Sequence, residues 1–495
     1  MDRLHVAWMA FGVYLAVTTW LAWRGMKKTT SLSGFALGNG DMGPLLVGIT
    51  LAASIASTAT FVINPGFVWK DGLSAFVHFG IAGFGGVTVG LVVLSKGFRA
   101  LGAKTKALTL PHWIGARFES PGLRTYFALL NLVLAIAFVV LIIKGSAIVM
   151  QLTLGLSYFW SVVLIVGFVF SYILMGGTYA HAYTNALQGA MMVIVAVALV
   201  YSGLHLFGGE TSFLERLAER GPNLVEVPNP ESSLFNNVFD VFIAGFVVSF
   251  GLVCQPHILT KALYLRSDRD LRRYLVIATL IGATFAGILI VGLYARVGFP
   301  ELDTVPQDAV VASYLGKAFS PIVGVLVSVA LLAAGMSTMD GILVSASTIA
   351  GSDLFLGALG QKLFPNLDQE ARETMALKAS RWILVAMGVG AFLLALDPPQ
   401  LVGLFAQFGI YGLVAASVGP VVYGIFAQRA TASGAIAAAV AGPLVHFGHQ
   451  IAVGFTLNPA RTATEGVLVA VVLQGVFLLV SSRDRAANAT GSLIA

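Results

Sequence analysis

The sequence predicts an all-α polytopic membrane protein, and three observations carry that prediction. Of its 495 residues, 57% are hydrophobic and only 11% are charged, a balance suited to hydrocarbon rather than water. Apolar runs of roughly 20 residues, the length that crosses a bilayer as helix, recur from end to end. The remaining charges are also sorted. With the N-terminus outside, 21 of the 29 Lys and Arg residues fall in loops on the cytoplasmic side, the bias expected of inner loops.

About thirteen transmembrane helices are expected, near 5–24, 43–69, 73–96, 125–152, 156–176, 183–208, 235–258, 274–297, 321–350, 379–396, 399–426, 432–455 and 464–482. In the first, Asp2 and Arg3 cancel before the apolar run and Arg24, Lys27 and Lys28 follow it. That pattern marks a retained span with its N-terminus outside, not a cleaved signal. The odd count then places the C-terminus in the cytoplasm. The basic loops Arg24–Lys28, Lys96–Arg124, Lys261–Arg273 and Lys362–Arg381 lie inside, whereas the outer loops 209–234 and 298–320 hold Glu210, Glu226, Glu231 and Asp303. A net charge of +6 thus records topology and implies no nucleic-acid partner. The single cysteine, Cys254, excludes an intramolecular disulfide and a multi-cysteine metal site. The largest cytoplasmic segment, about 351–378, is too short to fold alone, so 1–495 reads as one membrane domain with the lipid bilayer as its surroundings and no obligate protein partner evident. Gly80, Gly83, Gly86 and Gly90 share a face and predict close helix packing.

Two stretches carry chemistry. The second span is filled with small residues and hydroxyls: Ser54, Ser57, Thr58 and Thr60, then Asn64-Pro65-Gly66. Ala53, Ala56, Ser57, Thr60 and Asn64 share one helical face. Such groups must be satisfied, so the face looks at protein, water or ligand. It either packs closely on another helix or belongs to a partly unwound helix whose carbonyls bind a cation at mid-membrane depth. In the ninth span, Ala334, Ser337 and Thr338 stand at i, i+3 and i+4, so that one carbonyl and two hydroxyls converge. Neutral oxygens suit a weakly held hard cation rather than zinc or copper. The pair could instead bond back to its own backbone.

These stretches, with Gly176-Gly177, Thr184-Asn185-Ala186-Leu187-Gln188, Gln255-Pro256-His257-Ile258-Leu259 and Ala334-Gly335-Met336-Ser337-Thr338-Met339-Asp340, resemble the sodium:solute symporter family along nearly the whole chain. That family includes sodium-coupled sugar, proline, pantothenate and monocarboxylate carriers. The resemblance implies a LeuT-like core of inverted five-helix repeats, here about 43–208 and 235–426, with extra helices at 5–24, 432–455 and 464–482. It implies a sodium site on the carbonyls of Ala53, Ala56 and Ala334 and the hydroxyls of Ser337 and Thr338. One departure stands out: many relatives carry Thr-Asp where this chain has Thr184-Asn185, and an amide offers no charge to a second cation.

The expected activity is sodium-coupled import of a small solute by alternating access, without chemical catalysis, in a bacterial inner membrane. No span holds a cluster of Asp, Glu and His suited to enzymatic work. The short tail after Ser482 argues against a sensor fused to a kinase. Solute contacts are expected from Ser57, Thr58, Thr60, Gln255 and Lys144. A lysine deep in the fourth span is costly unless used. Facing the cavity, it favours a carboxylate, hence a monocarboxylate solute; otherwise it snorkels or pairs with an acid such as Asp240. Proline, another amino acid or pantothenate, and proton coupling, are the alternatives. No metal beyond sodium is expected. His446 and His449, at i and i+3, are read as interfacial rather than ligating.

Overall fold

A computed structural model describes residues 3–29, 32–359, 365–366, 368–399 and 401–491; Asp2 and Lys362 lie outside these. Each predicted span falls on a helix or a bent helix pair. Among the described residues ten helices are long and apolar enough to cross a membrane, and two bent pairs raise that to as many as twelve. A further apolar helix, Tyr158–Leu174, is shorter than a full span. It runs into the next helix across Gly177, whose φ of 55° only glycine adopts freely. Observed helices overrun the predicted spans where capping residues lie outside the apolar stretch. Thus Asp268–Ala286 starts six residues before the predicted 274, because Ser267 accepts a hydrogen bond from the Asp270 N–H and Asp268 and Asp270 favour the positive helix start.

Helix Pro321–Ile349 is the hub. Of the most apolar window of its span, 83% is buried, against 28% for the peripheral Leu4–Met26. A helix enclosed on all sides shows no polar face, so the sequence could not rank it by amphipathicity. The glycine face packs as expected: a Cβ on Gly86 would stand 2.3 Å from the Phe246 carbonyl oxygen, and one on Gly90 2.8 Å from that of Phe250.

The two bent pairs shape the interior. Pro44–Ile55 and Ala59–Asp71 meet at 53°, and Phe239–Leu252 and Pro256–Tyr264 at 62°. The first breaks where Ala56 turns to an extended ψ of 99°. The Ser57 hydroxyl then accepts a hydrogen bond from the Ala59 N–H at 3.0 Å, doing at the restart what a cap does at any helix beginning. The second breaks at Gln255, with ψ 139° and Pro256 as the first helical residue, where a missing N–H costs nothing. Breaks at this depth survive only where protein or a polar cavity surrounds them.

Candidate functional site

A helix end leaves its last four carbonyls without intrahelical partners. Where Pro44–Ile55 stops, the Ala53 carbonyl is one of these, and it is met by the hub helix. Ser337 Oγ lies 2.8 Å from the Ala53 carbonyl oxygen and 2.8 Å from that of Ala334. Thr338 Oγ1 lies 3.4 Å from the Ala53 oxygen. All four residues are fully buried. Ser337 Oγ thus stands between the Ala53 carbonyl, which its own helix leaves free, and the Ala334 carbonyl of its own turn, with Thr338 Oγ1 on the same Ala53 oxygen, so that four oxygens converge on one point. A small hard cation would satisfy them together. The structure therefore brings together Ala53, Ala334, Ser337 and Thr338, which the spacing and the resemblance selected. Ala56 stands at the break itself, where it lines the adjoining cavity.

Asn185, at the departure from the family pattern, holds this cluster from one side. Its Nδ2 donates to Ser54 Oγ at 3.1 Å and to the Ser337 carbonyl at 3.0 Å. The amide thus fastens three spans with hydrogen bonds that a carboxylate could not donate. Close by, the buried Asp340 accepts hydrogen bonds from the Tyr172 hydroxyl and, at 3.1 Å, from Thr184 Oγ1.

A cavity of about 200 Å³ opens at the first break. Ser57, Thr60, Asn64 and Gln407 supply polar groups, and aromatic rings including Phe79, Phe138 and Tyr411 supply apolar walls. Among the described residues no Asp, Glu, Lys or Arg lines it. Gln407 and Tyr411 went unnoticed in the sequence, since the helix carrying them, Val402–Phe426, is apolar overall and has no motif.

Three predicted contacts lie elsewhere. Thr58 turns away from the cavity: its Oγ1 is 3.4 Å from Ser146 Oγ, and its methyl group occupies the space that a Cβ on Gly145 would need. Gln255 faces a separate cavity of about 20 Å³. Lys144 does not line the central cavity. Its ammonium binds Asp308 at 3.1 Å and the Pro399 carbonyl at 3.0 Å, because a largely buried charge is held by a counter-charge where one is in reach. The partner is not Asp240, which instead accepts from Asn237 and faces Arg461 at 3.5 Å. His446 bonds Thr462 and the Phe408 carbonyl while His449 bonds Glu465, and among the described residues no group of three ligating side chains gathers around either.

The profile of the sodium:solute symporter family matches residues 35–442. The chain belongs to that family. The symporter is 28% identical to a sodium/pantothenate symporter of Haemophilus influenzae, over 84% of each chain. It is 27% identical to the sodium/pantothenate symporter of Escherichia coli, over 95% of each. Sodium/proline symporter 2 of Staphylococcus saprophyticus is 24% identical, over 90% of this chain and 86% of its own. The fold matches that of a sodium-coupled sialic acid symporter in a substrate-bound outward-open state, with a TM-score of 0.80 at 17% identity over 96% of this chain and 97% of that one. A nucleobase-cation symporter in a closed conformation matches at 0.55 and 15%, over 89% and 92%. The symporter is accordingly an integral membrane transporter of small solutes with an inverted-repeat core, not an enzyme, and sodium is its co-transported ion.

Proposed function

We propose that this symporter imports a small monocarboxylate of the pantothenate kind, drawn in by sodium through alternating access. The observation that carries the reading is the meeting of the crowded oxygens at Ala53, Ala334, Ser337 and Thr338 with the cavity at the same helix break. Sodium would take these oxygens and the Ala56 carbonyl. Five neutral ligands hold a monovalent cation firmly enough to load it and weakly enough to release it. The solute would lie beside it, on Ser57 and Thr60.

Lys144 is removed as a counter-charge by its bond to Asp308. The carboxylate is then met by the neighbouring cation and by the N-terminal end of the outer half-helix Ala59–Asp71, a positive dipole end. Hydroxyls and amides along an aromatic wall suit a solute that also carries amide, hydroxyl and branched apolar groups, as pantothenate does. The two pantothenate relatives are the further support. A sodium ion crossing down a gradient of about tenfold and a potential of about 100 mV releases about 3.7 kcal/mol. A monocarboxylate cancels the charge of one sodium ion, so the potential does no work at one-to-one coupling and about 1.4 kcal/mol, roughly tenfold accumulation, remains; a second sodium ion would be needed to draw on the potential.

In this reading the repeats run over about 43–208 and 235–426, each opening on one bent pair, with 5–24, 432–455 and 464–482 as added helices. The N-terminus lies outside and the C-terminus inside a bacterial plasma membrane. The test is uptake of radiolabelled pantothenate, acetate and proline into proteoliposomes under an inward sodium or potassium gradient. Sodium-driven pantothenate uptake that other monocarboxylates compete for is expected. Sodium-driven proline uptake, with pantothenate neither carried nor competing, would overturn the cargo.

A further inference from the structure

Two walls of the central cavity lie on helix faces that also meet the bilayer. Phe84 and Thr88, on the span Leu73–Thr105, line the cavity, as do Thr279 and Gly282 on Asp268–Ala286. Thr88 stands seven residues after Ile81 and four before Val92, so these three share one helical stripe. Ile81 is 62% exposed and Val92 56%. Thr279 likewise stands three residues after Val276, which is 55% exposed, and four before the exposed Ala283. Apolar side chains exposed in the middle of a span are in contact with hydrocarbon. Each threonine therefore faces the bilayer and the cavity at once, and the gap between the two helices is a lateral window.

Little closes this window. The Phe84 ring lies over Gly282, where a Cβ would stand 3.3 Å from its Cε2. Farther toward one end Leu289 covers Gly80, 3.2 Å from the place of a Cβ. Toward the other end the buried Leu91 and Tyr274 belong to one packed cluster. Between these closures Thr88 and Thr279 are only half-buried. The opposite flank of the same span is shut, because Gly86 and Gly90 admit the Phe246 and Phe250 carbonyls.

We propose that the symporter binds medium-chain alkyl carboxylates through this window, with the carboxylate at the break near Ala56 and the alkyl chain passing between Thr88 and Thr279 into the bilayer. The cavity holds about 200 Å³, whereas ligand sites begin at roughly 300 Å³, so a long chain has to leave it. Charge would stop such a chain, and among the described residues no charged side chain lines the cavity. Hydrocarbon on the far side of the window receives the chain as readily as the aromatic wall does. Such an amphiphile occupies the solute site and cannot pass, because its tail stays in the membrane. The inference rests on the solute carboxylate lying at the helix break, and adds a class of ligand that reaches the site from the side.

The test is exchange of whichever of labelled pantothenate, acetate or proline is carried, in proteoliposomes with equal sodium on both sides. No gradient drives this exchange, so a fatty acid that merely dissipates gradients does not slow it. Acetate, hexanoate, octanoate, decanoate and decanol are added in series. Each methylene moved out of water strengthens binding by up to about fourfold, so decanoate should block roughly a hundredfold better than hexanoate. Decanol, with no carboxylate to hold, should block weakly. The ratio of half-blocking hexanoate to decanoate is then read within each variant, so that altered solute affinity cancels. Thr88→Phe and Thr279→Phe plug the window and should bring the ratio close to one. Phe84→Ala widens it and should keep or raise the ratio. Val92→Phe adds the same ring on the lipid-facing stripe outside the cavity and should leave the ratio alone. Decanoate no better than hexanoate, decanol equal to decanoate, or an unchanged ratio in both threonine variants would overturn the window. The identity of the exchanged solute reports on the cargo separately, so a cargo of proline leaves the chain-length series intact.

Discussion

Replacing Ser337 by alanine removes the atom on which the cation site turns. Its Oγ stands 2.8 Å from two carbonyl oxygens, that of Ala334 on its own helix and that of Ala53, 284 positions away in the chain. Alanine leaves those oxygens in place with one ligand fewer between them. A neutral ligand oxygen on a cation is comparable to a hydrogen bond to a charged group, ~1.5–3 kcal/mol. Half-saturation by sodium should therefore rise roughly ten- to a hundredfold. The assay is initial-rate uptake into proteoliposomes across a sodium series, with potassium keeping ionic strength constant. Ser328→Ala is the matched control. Its hydroxyl is also buried on the hub helix, but it bonds only the Gly324 carbonyl of its own turn, so its sodium curve should not move. If Ser337 merely staples two helices, its alanine variant would lose ~1 kcal/mol of stability and keep its sodium dependence. That result would refute the site.

Lys144→Met strands the largely buried Asp308 carboxylate and should cost ~3 kcal/mol or more. Thermal unfolding in detergent should show the loss, and the double variant with Asp308→Leu should recover most of it, while solute affinity of folded protein stays unchanged. Orientation is checked with single cysteines at Glu219 and Ala103, both exposed, in the Cys254→Ala background. An impermeant reagent outside intact cells should label the first and spare the second; the reverse would invert the topology. Burial and the nearby Arg124 guanidinium push His112 down to about 4. Its neutral form then favours the fold fully above the ordinary 6.5, and that contribution is lost as pH falls toward 4. His112→Gln should flatten the loss of heat stability between those values.

Much of this symporter is legible in its sequence because the bilayer allows so few solutions. Runs of about 20 apolar residues must be helices, since no water is present to serve a bare backbone. Ala334, Ser337 and Thr338 were predicted to converge because helical spacing alone puts them on one face. For the second span, Ser54 through Gly66 are too polar and too small to face lipid, which leaves close packing or unwinding as the two readings, and the break at Ala56 decides for unwinding. What the sequence by itself could not determine is which faces meet. Ser337 finds Ala53, Lys144 finds Asp308 and Thr58 finds Ser146 across 284, 164 and 88 positions, and no local pattern encodes such pairs. Lys144 shows the cost of that gap. A buried charge announces that it needs a partner, but whether the partner is a solute or Asp308 depends on where the loop carrying Asp308 folds back. Thr58 and Thr60 are two residues apart on one hydroxyl-rich stretch. Only the bend at Ala56, and the glycines at 145 and 335 that admit Thr58 between helices, send one into the packed interior and the other to the cavity. Helix identity is local physics, settled by solvent and spacing, whereas a binding site is made of side chains on several helices, and tertiary packing alone decides which of them share a space.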